Sequence, residues 1–226
     1  MKLPAHALLH LLHRVAAGTL ATHSRAPQGF PYPSILPFAP DAQHRPTILV
    51  SRLAEHTRNL QDDARAGFLL VDASAGDVLN AERITLLGRF APVEAAPPLV
   101  SRYLRYQPDA QRYLALGDFS FWTLMPERMR YIGGFGAMGW LDAADLDPLE
   151  PLASEDEAAL IDRFERDARR GAHVELLGVD RYGADLRIAG ARARHPFSTP
   201  LTDPQALSAA LEACLSGTGT GEAPDA

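Results

Sequence analysis

This sequence has almost no cysteine, no long apolar run and no excess of basic charge, and each shortage narrows what it can do. A single cysteine, Cys214, excludes an intrachain disulfide and any C-x-x-C metal or redox motif. Such a chain suits a reducing compartment, and a cytoplasmic protein is expected. No stretch approaches the roughly 18 apolar residues of a membrane span. Residues 8–15 are apolar only in parts, because His10, His13 and Arg14 interrupt them. No small-residue cleavage site follows, so neither a targeting segment nor a membrane partner is expected. Lys and Arg number 22 against 28 Asp and Glu, a net charge of -6, which argues against a nucleic-acid partner. A dinucleotide motif is also missing. Residues 133–139 read G-G-F-G-A-M-G, but no helical pattern follows them.

What is present describes an ordinary globular chain. Hydrophobic residues make up 46% and charged residues 22% of 226 positions, enough for one large domain or two smaller ones with real cores. Short apolar runs at residues 18–23, 32–38, 46–51, 68–71, 83–90, 118–124 and 128–132 read as strands joined by turn-like segments. Helical spacing marks residues 4–17, 55–63, 97–106 and 108–116. Many short strands with few helices predict a closed or half-closed β-barrel over residues 1–140. Residues 141–152 are rich in Asp, Ala and Pro and read as a linker. Beyond it, residues 153–216 predict a small α+β domain. Its first helix, 154–170, opens on a capping box of Ser154 and Glu157, three strands and a last helix at 204–215 follow, and residues 217–226 read as a disordered tail.

His6, His10 and His13 recur on one face of the first helix, and a polar face is the plainer reading of them than a metal site. The most informative stretch is residues 49–60, L-V-S-R-L-A-E-H-T-R-N-L. A strand end there hands over to a helix N-terminus, where unsatisfied N–H groups and the helix dipole favour an anion. Ser51, His56, Thr57 and Arg58 crowd that junction and could hold a phosphate. A solvated helix face with Leu53 and Leu60 buried is the alternative.

The run E-H-T-R-N-L at 55–60 has company. Gly18-Thr19-Leu20-Ala21-Thr22, Pro31-Tyr32-Pro33-Ser34, Arg83-Ile84-Thr85-Leu86-Leu87-Gly88, Asp118-Phe119 and Gly133-Gly134-Phe135-Gly136 precede or follow it. Together these pieces resemble the pyridoxamine 5′-phosphate oxidase-like FMN-binding split barrels, in the HugZ-like haem-utilisation branch with a C-terminal small domain. The resemblance implies a β-rich α+β fold, a six-stranded split β-barrel followed by a small α+β domain. It implies a homodimer with cofactor sites at the subunit interface, binding FMN or, alternatively, haem. By position it puts Tyr32, Ser34, Ser51, Leu53, His56, Thr57, Arg58, Asn59, Arg83 and Thr85 at the cofactor, with His56 standing where the oxidases have a phosphate-binding lysine.

Two departures from the family qualify this. Glu55 stands where the oxidases have an arginine, and a carboxylate there repels a phosphate unless a cation such as Arg52 or Arg58 pairs with it. The N-x-D-H pattern of many relatives is Glu165-Arg166-Asp167-Ala168 here, so a haem ligand in the small domain would fall to His173 or His195. Trp122, Trp140 and Phe135 are candidates to cover a flavin ring, and core positions are the favoured reading of each. Three functions follow. The first is an FMN-dependent oxidoreductase acting on a small molecule. The second is a haem-binding or haem-degrading protein, and the third is a non-catalytic dimer with a degenerate cofactor site.

Overall fold

A computed structural model describes residues 6–72, 74, 76–77, 79–133, 137–146 and 149–217. The glycine-rich turn expected at 134–136 with Phe135, and the tail from 218 onward, lie outside the described residues. The chain divides into two units, Met1–Pro148 and Leu149–Ala226. No helix among the described residues is long and apolar enough to cross a membrane.

The first unit opens with α1 (Ala7–Arg14), whose Leu8, Leu11 and Leu12 are buried. β1 (Ala17–Arg25) and β2 (Gln28–Pro37) form an antiparallel hairpin longer than the sequence suggested. At the buried Phe38 the strand turns a corner and resumes as β3 (Ala39–Pro40), which pairs not with β1 but with β4 (Pro46–Ser51). Next come α2 (Glu55–Asp62), β5 (Arg65–Val71), β6 (Glu82–Val93), α3 (Pro97–Tyr106), a 3-10 turn at Pro108–Ala110 and α4 (Gln111–Leu114). The single helix expected at 108–116 is therefore broken in two. β7 (Phe119–Gly133) and β8 (Met138–Asp142) complete the unit. The sheet order is β2-β1-β5-β6-β7-β4-β3, with β8 branching from β7. Because β2 runs on into β3, its two outer strands are one stretch of chain, which bends the sheet round a common interior. Among the described residues this sheet has eight strands, where a six-stranded barrel was expected.

Alternation along the strands decides what fills that interior. On β6, Ile84, Leu86 and Phe90 are buried while Thr85, Leu87 and Arg89 face outward. Phe38, Phe68 and Phe90 meet edge to face, with centroids 5.5 and 6.0 Å apart, a geometry that adds to the area they bury. The two strands expected around Met125-Pro126-Glu127 are one strand. Leu87 pairs with Arg128 and Gly88 with Pro126, so Glu127 is the extra residue of a bulge. Proline, which ends most sequence-level strands, is accommodated at that bulge. Gly88 is required opposite it, because a Cβ there would collide with the Met125 carbonyl oxygen.

The second unit holds α5 (Ser154–Glu165), β9 (Val174–Asp180), β10 (Gly183–Ile188), β11 (Ala191–Pro196) and α6 (Pro204–Gly217). Its sheet order is β11-β10-β9, and Ile161, Phe164, Leu176, Val179, Leu186 and Leu211 are buried together. The expected capping box does not form. The helix N-cap is Ala153, and Glu157 turns inward to accept the Val179 N–H at 3.3 Å. The helix also stops at Glu165, short of Arg170.

Candidate functional site

The junction of β4 and α2 is built from short-range commitments. Ser51 closes β4; its hydroxyl donates to the Asp118 carboxylate and accepts the Leu53 N–H at 3.0 Å. The Arg52 N–H donates to the Asp118 carbonyl at 2.9 Å. These bonds fix the entry to α2 against the start of β7. Leu53, expected to be buried or near a cofactor, is 70% exposed. The first turn of α2 has no side-chain cap, and the Thr57 and Arg58 N–H groups both donate to the Ala54 carbonyl. Thr57 faces the interior, its hydroxyl buried and without a hydrogen-bond partner among the described residues.

The charges of this stretch are used locally. Arg58 lies 3.8 Å from Glu55, and Arg25 lies 3.7 Å from both Glu55 and Asp62. Glu55 is thus paired, as its position beside a phosphate-type site would require, but the pairing draws on the cation expected to grip the phosphate. Such half-exposed pairs contribute about 0 to 1 kcal/mol each. Asn59 also faces the interior. It donates to the Thr22 hydroxyl at 3.0 Å and accepts the Arg25 N–H at 3.3 Å, tying α2 to β1. Thr57 and Asn59 therefore support the helix and present nothing to the surface.

His56 is different. It is half-buried, with Nδ1 3.4 Å from the Ser34 hydroxyl on β2. Burial pushes its pKa below the ordinary histidine value, because a charged imidazole loses hydration there. Near pH 7 the ring is held neutral, the form that ligates a metal. Tyr32 lies two residues along the same strand, and its carbonyl accepts the Thr22 hydroxyl at 3.4 Å.

Arg83 and Thr85 stand apart from this group. They lie on the outward face of β6, and Thr85 pairs across the ladder with Leu69 and Arg130. The Arg83 guanidinium donates to the Leu79 and Ala81 carbonyls at 3.3 and 3.2 Å. Ile35 on β2, 76% exposed, shares that face through the row Ile35–Thr19–Leu69–Thr85. Within one chain, then, the sequence-level set splits between the α2–β2 junction and the outer sheet face.

Two arginines on that outer face, Arg128 and Arg130, escaped sequence reasoning, which names Trp140 as a ring cover with the core as its favoured place. Trp140, expected in the core, is 48% exposed on β8, whereas Trp122 is buried. Trp140 pairs with Arg130, and the guanidinium carbons of Arg128 and Arg130 lie 4.7 and 5.5 Å from its ring centroid. The signal was an R-x-R alternation facing a tryptophan across an unrecognised strand. The histidine face of α1 also reads differently in three dimensions. His13 is buried, with Nε2 2.8 Å from Nδ1 of the buried His44, so α1 does not present a uniformly polar histidine face. In the second unit His173 and His195 are both exposed.

Known proteins place this geometry. The family model described as "CREG, beta-barrel" matches residues 4–146. The chloroplastic heme oxygenase HOZ of Arabidopsis thaliana is 32% identical over 133 residues, which cover 58% of this chain and 40% of the plant protein. The chain thus spans less than half the length of that relative. A heme binding protein from Mycobacterium smegmatis aligns over 96% of this chain and 99% of its own, at 28% identity and a TM-score of 0.59. A protein of unknown function from Agrobacterium tumefaciens shares the fold over 92% of this chain and 94% of its own, with a TM-score of 0.78 at 22% identity. The family model covers nearly all of the eight-stranded unit, and the chain belongs to the CREG beta-barrel family of pyridoxamine 5′-phosphate oxidase-like split barrels, consistent with the HugZ-like branch.

Proposed function

We propose that this protein binds haem, as a homodimer with its ligand sites at the subunit interface. The observation that carries the reading is the alignment with the heme binding protein of Mycobacterium smegmatis, which runs through both units and nearly the full length of each chain. The α2–β2 junction agrees with it. A half-buried imidazole with its pKa lowered by burial and Nδ1 beside the Ser34 hydroxyl favours the neutral form that binds iron. His56 is the proposed iron ligand, in preference to His173 or His195, which are exposed. The dimer would use the outer sheet face. Ile35 is exposed there in one row with Leu69 and Thr85, an apolar strip that a partner copy would cover.

Haem iron, when bound, supplies the redox and oxygen chemistry; the chain supplies the ligand, the apolar contact and the charge. The name of the plant relative extends this to oxidative haem breakdown, which we carry as a narrower proposal for this chain.

FMN is the second reading, and the split-barrel fold favours it. The phosphate grip it needs is weak here, because Arg58 pairs with Glu55 and Ser51 is held by Asp118. The test is a titration with haem and, separately, with FMN. Haem should give a Soret band that His56→Ala shifts or abolishes, while FMN should bind weakly or not at all. Tight FMN binding with no Soret band would overturn the haem reading in favour of an oxidoreductase. Binding of neither would leave a dimer with a degenerate site.

A further inference from the structure

The outer face of β7 and β8 carries an unusual charge arrangement. Arg128 and Arg130 alternate on one strand, so both project to the same side. Both converge on the half-exposed indole of Trp140. The carboxylate of Asp142 is 3.8 Å from Arg128, at the limit of an ion pair, and both side chains are largely exposed. Among the described residues no carboxylate pairs with Arg130. Two like charges beside one ring repel each other, and the single carboxylate, which reaches Arg128 alone, does not balance both. Around the ring the floor is apolar, with Leu87 paired to Arg128 and Met138 two residues before Trp140, both exposed.

We infer that Arg128, Arg130 and Trp140 form a platform that grips a flat conjugated ligand bearing carboxylates, its ring against the indole and its carboxylates on the two guanidinium groups. Guanidinium is the side chain suited to this, since its planar fork binds carboxylate with two parallel hydrogen bonds and also stacks on aromatic faces. Resting on the haem reading, the ligand is the tetrapyrrole and the platform is the anchor for its carboxylates. The anchor acts on the organic ring and is independent of iron. It is therefore separable from His56.

The test uses metal-free protoporphyrin and its dimethyl ester on the full-length protein, read by quenching of tryptophan fluorescence. The chain has two tryptophans, and Trp122 is buried. The diacid should quench Trp140 and bind about 10-fold more tightly than the diester, the scale of one charge-assisted bond. Arg130→Gln should remove that discrimination, and Trp140→Phe should remove most of the quenching while the melting curve stays that of a folded protein. Equal binding of diacid and diester by the natural chain, or undiminished diacid binding by Arg130→Gln, would overturn the platform. A His56-dependent Soret band together with unchanged affinity for haem and for the diacid in Arg130→Gln would overturn the platform and leave haem binding standing. Arginine-dependent diacid binding without any haem Soret band would keep the platform and remove the iron ligand. No binding of any tetrapyrrole would overturn both.

Discussion

Arg194, on β11 of the smaller unit, has no exposed side-chain surface and donates to two carboxylates, Asp180 at 2.7 Å and Asp185 at 2.9 Å. Arg128 and Arg130, on β7 of the larger unit, lie at the surface against an indole, with one carboxylate, Asp142, 3.8 Å from Arg128. All three alternate along strands in the same way, yet one is a buried structural charge and the other two are exposed. The difference lies in what faces them across the ladder. Asp185 pairs directly with Arg194, whereas Arg130 is flanked by Thr85 and Trp140. A buried charge must be matched from within the protein, because it has no water to fall back on. An exposed charge can wait for its counter-ion.

The strongest way to break this comparison is to remove the match at Arg194. Asp185→Ala leaves a fully buried guanidinium with part of its pairing gone. It should destabilise the smaller unit by about 3 to 5 kcal/mol, because an uncompensated buried charge is what such a deletion creates. Chemical denaturation followed by circular dichroism would check it. A loss below about 1 kcal/mol would show that the Arg194 cluster tolerates being open, and the contrast with β7 would fail.

How much of this could be read from the sequence depended on whether a residue's role was local. The apolar runs within β4, β5 and β6 were legible because apolar content over a few adjacent residues is a local signal. The turn from β4 into α2 was legible as a strand handing over to a helix for the same reason. The fates of its side chains were not. Whether Arg58 grips a ligand or Glu55, and whether Asn59 faces water or Thr22, depends on β1 and β7 approaching from elsewhere in the chain. Pro126 hid the continuity of β7, since a proline within a strand reads as an end unless a bulge is known to lie there. Trp140 read as core because tryptophan usually is, and only the pairing of β8 with β7 turns it outward. Ser154 read as a cap, but Glu157, its expected partner, is drawn inward to the Val179 N–H.

His56 tests the ground between the two arginine sets. It is half-buried and has no carboxylate partner among the described residues, and burial holds its pKa low. The sign follows from linkage. Between its lowered folded value and the ordinary value of 6.5 the unfolded chain binds more protons than the folded one, so stability rises with pH across that window. The contribution of a neutral His56 is complete above the ordinary value and is lost as pH falls toward the folded one. His56→Phe should flatten this acid limb while leaving stability above pH 7 nearly unchanged. Denaturation midpoints compared at pH 5 and pH 7.5 would measure it. An unchanged acid limb in the variant would mean that another group titrates there, and that His56 is not held neutral by burial.

The smallest expected effect is the most informative about β7. Arg130→Gln removes a cation with no ion-pair partner among the described residues, and its contact with Trp140 is at the surface. The cation–π attraction there is worth about 0.5 to 1 kcal/mol, and relief of repulsion from Arg128 offsets part of it. Net stability should therefore change by no more than about 0.5 kcal/mol, the range of ordinary surface substitutions. A thermal melt of the ligand-free variant would check this. A loss well above 1 kcal/mol would mean that Arg130 serves Trp140 as cover, in the way Asp185 serves Arg194, and that the charge was never left open for a ligand. A melt unchanged from the natural chain, alongside weakened binding of a tetrapyrrole diacid, would separate the two kinds of arginine by experiment. The one on β11 would then hold the fold, and those on β7 would hold something the fold does not contain.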